Sequence, residues 1–314
     1  MSLAFTFPGQ GSQSVGMMAG LAAAHAQVGR TFAEASEVLG YDLWAICRDG
    51  PAEALNATEV TQPAMLTAAV ATYRIWRSLG GPVPKAMAGH SLGEFSALVA
   101  AGSLEFRDAV ALVRFRAQAM QEAVPQGEGA MAAILGLEDS DVEAACAEAA
   151  QGEVVEAVNF NAPGQVVIAG RASAVARAVE AATARGAKRA VMLPISVPAH
   201  SSLMAPAAAR LGERLAEVQV LSPQDVAVYG VDVKQHRRPD EIRAALVKQL
   251  RTPVYWAATV RTIIGAGATV IVECGPGKVL GSLNRRIDKN RDLKMISLED
   301  PKSIEEALLA AQAV

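Results

Sequence analysis

Thiols are scarce in this chain. Its three cysteines, Cys47, Cys146 and Cys274, are odd in number and widely separated along 314 residues. None forms a Cys-x-x-Cys pair, which argues against a disulfide framework or a thiolate metal site and leaves a reducing compartment as the expectation. The opening residues lack a charged start, an apolar run and a small-residue cleavage site. No window approaches the roughly 18 unbroken apolar residues of a membrane span. A cytoplasmic protein is expected. Excess charge of either sign is also missing: 29 basic and 32 acidic residues leave a net −3. Neither nucleic acid nor an anionic membrane is indicated as a partner. Aromatics are 4% of residues. No His/Cys/Asp cluster has metal-ligand spacing, and neither a Walker loop nor a G-x-G-x-x-G strand–helix junction occurs, so neither a metal nor a resident cofactor is expected.

What is present points to an ordinary folded chain. Hydrophobic residues make up 51% and charged residues 19%, which suits a packed core rather than a disordered segment. The length allows one large core, or a core with a smaller domain grown into it.

Helices alternate with short apolar strands over most of the chain. Residues 3–7 predict a buried strand, 15–39 a helical region and 61–79 a helix with Pro63 in its first turn. Residues 85–88 predict a strand, 89–93 a tight turn and 94–101 a helix. Later come a helix over 203–218, a strand over 226–231, a helix over 240–250 and a strand over 269–273. This alternation predicts an α/β fold, a parallel sheet covered on both faces. The stretch 128–194 has a different rhythm. Its order is β-α-β-β-α-β, with Asn161-Ala162-Pro163-Gly164 as a reverse turn and Gly186 closing the second helix. We read it as a ferredoxin-like subdomain inserted into an α/β-hydrolase-like catalytic domain formed by 1–127 and 195–314.

Gly89-His90-Ser91-Leu92-Gly93 matches G-x-S-x-G, and it lies between a predicted strand and a predicted helix as that motif requires. A sharp turn there lifts the serine hydroxyl clear of the sheet, and the Leu92 amide at the helix start can face a developing oxyanion. A serine nucleophile needs a base. Of the four histidines, His25 lies in a helical region and reads as exposed, and His236 lies in a polar loop. His90 adjoins the serine on a turn where neighbours point apart. His200 remains, in Pro198-Ala199-His200-Ser201, with capping of the following helix as the plainer alternative.

With these residues in place, the chain resembles the malonyl-CoA:acyl-carrier-protein transacylases of fatty acid synthesis. The resemblance spans nearly the whole length. It rests on Phe7-Pro8-Gly9-Gln10-Gly11-Ser12-Gln13, Thr61-Gln62-Pro63-Ala64, Ala88-Gly89-His90-Ser91-Leu92-Gly93-Glu94 and Met120-Gln121-Glu122-Ala123-Val124-Pro125. It rests also on Asn159-Phe160-Asn161-Ala162-Pro163-Gly164-Gln165, Val197-Pro198-Ala199-His200 and Glu273-Cys274-Gly275-Pro276-Gly277-Lys278-Val279-Leu280. The resemblance implies Ser91 as acyl carrier and His200 as general base. It implies Gln10 and Leu92 as the oxyanion-hole amides, Gln249 as the residue that orients the histidine by side chain or main chain, and Arg116 as partner of the malonyl carboxylate. Read without it, Arg116 is a surface helix arginine. The chain departs from the family's usual residues at Ala199, Tyr229-Gly230 and Cys274, none a catalytic position.

Coenzyme A then enters only as a thioester substrate, and the acidic acyl carrier protein is the expected partner of a monomeric enzyme. Lys188 and Arg189, with Arg285, Arg286 and Lys289, are candidate docking charges; scattered solvated cations are the alternative. Two enzymatic rivals remain, a serine hydrolase or thioesterase and an acyltransferase serving a polyketide synthase or malonate decarboxylase. A non-enzymatic scaffold would require an unreactive Ser91.

Overall fold

The computed structural model describes residues 2–195 and 197–313. Its strands in chain order are β1 Ser2–Phe7, β2 Ala86–Gly89, β3 Gly129–Leu135, β4 Val155–Ala162, β5 Gln165–Arg171, β6 Arg189–Met192, β7 Ala227–Tyr229, β8 Ala268–Glu273 and β9 Lys294–Ser297. They make two sheets. One is five-stranded and parallel, in the order β7-β2-β1-β8-β9. The other is four-stranded and antiparallel, in the order β4-β5-β3-β6.

Strand β1 is central in the parallel sheet, and its side chains from Leu3 to Phe7 are buried on both faces. That explains its unbroken apolar run. Phe5 and Phe7 face the long helix Thr58–Ser78, where the Phe5 ring meets Trp76 at 5.1 Å and Tyr73 at 5.9 Å, edge to face. On the opposite face Ala4, Ala86 and Ala88 pack with Trp256, Val260 and Leu283. Those larger residues come from helices Trp256–Gly265 and Val279–Ile287. Small residues on the sheet accept large ones from the covering helices, so both faces are closed.

Local expectations needed correction in two places. The helical region over 15–39 is two helices, Ala19–Ala24 and Gln27–Leu39, because Gly16 and Met18 take left-handed turns and His25 is extended. The change of axis lets Leu21, Val28 and Phe32 all reach the core. Pro63 is not in a first turn. The helix begins at Thr58, so the proline is internal and the Glu59 carbonyl loses its intrahelical donor. Helices Leu43–Asp49, Ala52–Asn56, Trp256–Gly265 and Val279–Ile287, and strand β9, were not anticipated.

The antiparallel sheet carries helices Asp139–Ala150 and Ala172–Ala184 on one face, joined by a core of small and β-branched residues. Its other face packs Met131, Val158, Val167 and Ala169 against Leu193, Ile195 and Ala199, on the segment that returns to His200. The loop before helix Trp256–Gly265 extends this sheet by a short bridge. Val254 N–H donates to the Val158 carbonyl at 2.8 Å, and Phe160 N–H to the Val254 carbonyl at 2.9 Å.

The turn between β2 and helix Gly93–Ala100 is a matter of close approach. A Cβ at Gly89 would lie 1.8 Å from the Gly93 carbonyl carbon, and one at Gly93 would lie 2.0 Å from the Phe7 carbonyl oxygen. Backbone cannot yield as a flexible side chain can. Gly93→Ala should cost about 3 kcal/mol of stability or more, the upper range of overpacking. Thermal unfolding checks it, and an unchanged midpoint would show that the two backbones can part.

Candidate active site

Ser91 sits at the apex of that turn with φ +52°, a left-handed conformation that costs a non-glycine residue energy. The flanking glycines have a different duty from the serine: they permit contact, and the serine itself bears the strain. The hydroxyl accordingly points away from the sheet. His200 Nε2 lies 2.7 Å from Ser91 Oγ. The two residues are 109 positions apart in sequence, yet they share one partly buried contact.

His200 also has a left-handed backbone, φ +66°. It is held at the C-terminus of helix Pro239–Gln249. Its Nδ1 lies 2.8 Å from the Gln249 main-chain carbonyl, and its backbone N–H donates to the Leu250 carbonyl at 2.9 Å. The last carbonyls of a helix have no internal donors and carry partial negative charge. Since a carbonyl only accepts, Nδ1 must carry the proton, which leaves Nε2 as an acceptor for the Ser91 hydroxyl. Gln249 therefore reaches the imidazole through its main chain.

The Gln249 side chain is turned elsewhere. Its Nε2 donates to Glu94 Oε2 at 2.7 Å and to the Ser91 carbonyl at 3.2 Å. Its Oε1 accepts from Arg116 Nη2 at 3.1 Å.

Arg116 is not the surface arginine its tripeptide suggests. It is 1% exposed, on helix Phe106–Glu122. Nη1 donates to Gln62 Oε1 at 2.8 Å and Nη2 to Ser91 Oγ at 3.3 Å. The guanidinium carbon lies 5.6 Å from the Phe95 ring centre. Among the described residues no carboxylate pairs with it directly, and its buried Nε has no hydrogen-bond partner. Burial brings this group down to about 10, still a cation at neutral pH. The site thus keeps a desolvated positive charge beside a hydroxyl.

Gln10 and Leu92 lie where the chain passes the serine. Gly9 abuts the elbow, so that a Cβ there would come within 2.5 Å of the His90 carbonyl oxygen. Leu92 is the N-cap of helix Gly93–Ala100. Neither the Gln10 nor the Leu92 amide makes a backbone hydrogen bond among the described residues. The other histidines lie outside the dyad. His90 Nε2 contacts Asn161 Oδ1 at 2.7 Å, tying the turn to β4. His236 pairs with Asp232 at 3.1 Å rather than standing free in solvent, and that partner raises its pKa. Two residues that sequence reasoning left without a role, Gln62 and Glu94, touch Arg116 and Gln249. Both lie in recognisable motifs, which was the available signal.

Two of the docking candidates, Lys188 and Arg286, lie near the turn between β4 and β5. Lys188 lies over Gly136, whose amide donates to the Gly164 carbonyl at 2.8 Å. Arg286 donates to the Pro163 carbonyl at 3.3 Å and to the Gln165 side chain. Arg285 donates to the Met295 carbonyl at 2.8 Å. Lys188 and Arg189 are exposed, as are Arg285 and Arg286. All three cysteines are buried and free. Burial pushes Cys47 and Cys146 up to about 12 and raises Cys274 well above the ordinary thiol range. Among the described residues no cluster of three or more His, Cys, Asp or Glu could hold a metal, and no helix is long and apolar enough to cross a membrane.

Compared with known proteins, residues 4–295 match the family described as acyl transferase domain. The chain belongs to the acyl transferase family. This acyl transferase is 55% identical over 305 residues to the malonyl CoA-acyl carrier protein transacylase of Escherichia coli strain K12, covering 97% of this chain and 98% of that one. It superposes on the malonyl CoA-acyl carrier protein transacylase of Coxiella burnetii with a TM-score of 0.97 at 48% identity, over 99% of this chain and 98% of that one. It also superposes on a malonyl-transacylase solved in complex with a type II polyketide synthase acyl-carrier protein, with a TM-score of 0.96 at 50% identity, over 99% of this chain and all of that one. The resemblance drawn from the seven motifs is thereby borne out, as is the α/β fold with its parallel sheet.

Burial and the neighbouring Arg116 charge bring the His200 imidazole down from 6.5 to about 3. Unfolded chains protonate this group near 6.5, so it alone makes the fold less stable as pH falls from about 6.5 towards 3. Nuclear magnetic resonance of labelled histidine should find His200 neutral between pH 8 and pH 5. A titration near the ordinary imidazole midpoint would contradict this, and Arg116→Ala should move the midpoint upward by removing a like charge.

Proposed function

We propose that the chain moves a malonyl group from coenzyme A to the phosphopantetheine thiol of acyl carrier protein, through a malonyl ester on Ser91, in fatty acid biosynthesis. The observation that carries this reading is a buried arginine 3.3 Å from a serine that is itself 2.7 Å from a histidine. A serine–histidine pair alone suits many acyl groups. A desolvated guanidinium with a free donor suits an acyl group that ends in a carboxylate.

The steps follow from the groups available. His200 Nε2 takes the proton of Ser91 as Oγ attacks the thioester carbonyl. The oxyanion receives the amides of Gln10 and Leu92, each such donor being worth about 3 kcal/mol in the transition state. The carbon–sulfur bond breaks, and the imidazolium returns its proton to the departing coenzyme A thiolate. The carrier thiol then repeats the sequence in reverse order, giving its proton to His200 and releasing Ser91. The Gln249 carbonyl holds the imidazole in the tautomer both steps need. A carbonyl stabilises the imidazolium less than a carboxylate would, which suits an enzyme whose acyl ester must outlast contact with water. These steps use protein groups and the two thiols alone, with coenzyme A as substrate.

We read 1–127 with 195–314 as the catalytic unit and 128–194 as a ferredoxin-like unit inserted into it. The β-α-β-β-α-β order and separate core of the second support this. The carrier is proposed to dock through the exposed Lys188, Arg189, Arg285 and Arg286, and the cytoplasm is the proposed setting.

Intact-mass measurement after mixing with malonyl-CoA should show one malonyl adduct, absent from Ser91→Ala. Rapid release of free malonate instead would identify a hydrolase. Arg116→Ala should slow malonyl loading by about 10- to 100-fold, the worth of one or two charge-assisted hydrogen bonds. For the carrier, the paired change Lys188→Glu with Arg189→Glu should slow transfer to acyl carrier protein several-fold and leave loading from malonyl-CoA unaltered. Equal loss in both half-reactions would remove these residues from the docking surface.

A further inference from the structure

The carboxyl of Glu94 takes no part in the steps above, yet it is buried against them. It stands in the first turn of helix Gly93–Ala100, 4% exposed. Its Oε2 accepts from Gln249 Nε2 at 2.7 Å and from the Val231 N–H at 3.3 Å. Beyond it lie Asp232 and His236, paired with each other.

A glutamine amide has a donating end and an accepting end, and here its neighbours sort them. The Ser91 carbonyl and Glu94 Oε2 accept from Nε2. Arg116 can only donate, and it meets Oε1. Turning the amide over would set an NH2 group against the guanidinium and an oxygen against two oxygens. Glu94 thus opposes the flip from one side as Arg116 does from the other. Its place has a second consequence. It lies one amide away from Arg116 and makes no direct ion pair with it; burial raises its carboxyl to about 7, and in its ionised form it supports the buried cation without occupying a guanidinium donor.

We propose that Glu94 is a positioning residue for the recognition of the acyl carboxylate: by accepting from Gln249 Nε2 it keeps the amide oxygen on Arg116 and holds the guanidinium beside Ser91. This rests on the reading of Arg116 given under the proposed function. The His200 tautomer does not depend on this route, because the imidazole bonds the Gln249 main chain and not its side chain. A defect at Glu94 therefore falls on acyl groups that carry a carboxylate and spares those that lack one.

The test compares the rate of Ser91 loading from malonyl-CoA and from acetyl-CoA in the full chain. Glu94→Met keeps the bulk and removes the acceptor. It should slow malonyl loading by about tenfold, one charge-assisted hydrogen bond's worth, and leave acetyl loading within about twofold. Glu94→Gln can return an amide oxygen to the Oε2 position and should recover most of the malonyl rate. Should Glu94→Met not fold, Glu94→Asp withdraws the carboxylate by one methylene and should shift the same ratio in the same direction. Equal loss of both rates, or loss of neither, overturns the proposal. Arg116→Ala separates the layers: if it leaves the malonyl-to-acetyl ratio intact, the reading of Arg116 fails first. If it collapses that ratio while Glu94→Met does not, only the role of Glu94 fails.

Discussion

The last carbonyls of helix Pro239–Gln249 have no donors within the helix, and the site depends on where they point. The Gln249 carbonyl meets the His200 ring, and the carbonyl of Leu250 just beyond the helix meets its backbone N–H. An accepting carbonyl at Nδ1 leaves Nε2 unprotonated and aimed at Ser91. The tautomer is thus set by a peptide group, whatever side chain stands at position 249. That frees the Gln249 side chain to join Arg116 to Glu94. One residue serves two networks, one controlling the base and the other the guanidinium. On the proposed roles, the separation would let a fixed proton-transfer pair coexist with selection for the tail of the acyl group.

Close contact is the second constraint. Ser91 and His200 both hold left-handed backbone conformations without being glycine. Such positions persist only where their surroundings over-determine them. Around Ser91 the surroundings are glycines: Gly9, Gly89 and Gly93 each lie where a Cβ would strike backbone. The strand, the elbow and the loop carrying Gln10 are pressed together, and the serine is displayed by that compression. Around His200 the restraint is the helix end.

Much of this was legible in the residues. The elbow, the alternation of strands and helices, and the choice of His200 among four histidines follow from spacing and elimination. Arg116 was not legible on its own. In Arg114-Phe115-Arg116 nothing marks which arginine turns inward, and only the packing of helix Phe106–Glu122 against Gln62 and Phe95 decides it. The main-chain role at Gln249 leaves no trace in residue identity, because every residue has a carbonyl. Glu94 passed for an ordinary acidic residue at a helix start, where the macrodipole favours one. Pro63 misled because a proline near a helix start is usually at N1, whereas the true start lay at Thr58. Short helices such as Ala52–Asn56 give too few turns for periodicity to register.

The burial of Cys47, Cys146 and Cys274 has a bearing on work with this protein. Coenzyme A and the carrier arm both exchange acyl groups at sulfur, and an accessible thiolate on the enzyme would join that traffic. None of the three is accessible or ionised near neutrality, so no acyl group strays onto a bystander sulfur and no mixed disulfide forms with the leaving thiol. In the loading half-reaction, before any carrier thiol is added, a colorimetric sulfhydryl reagent would therefore count liberated coenzyme A with no contribution from the native enzyme.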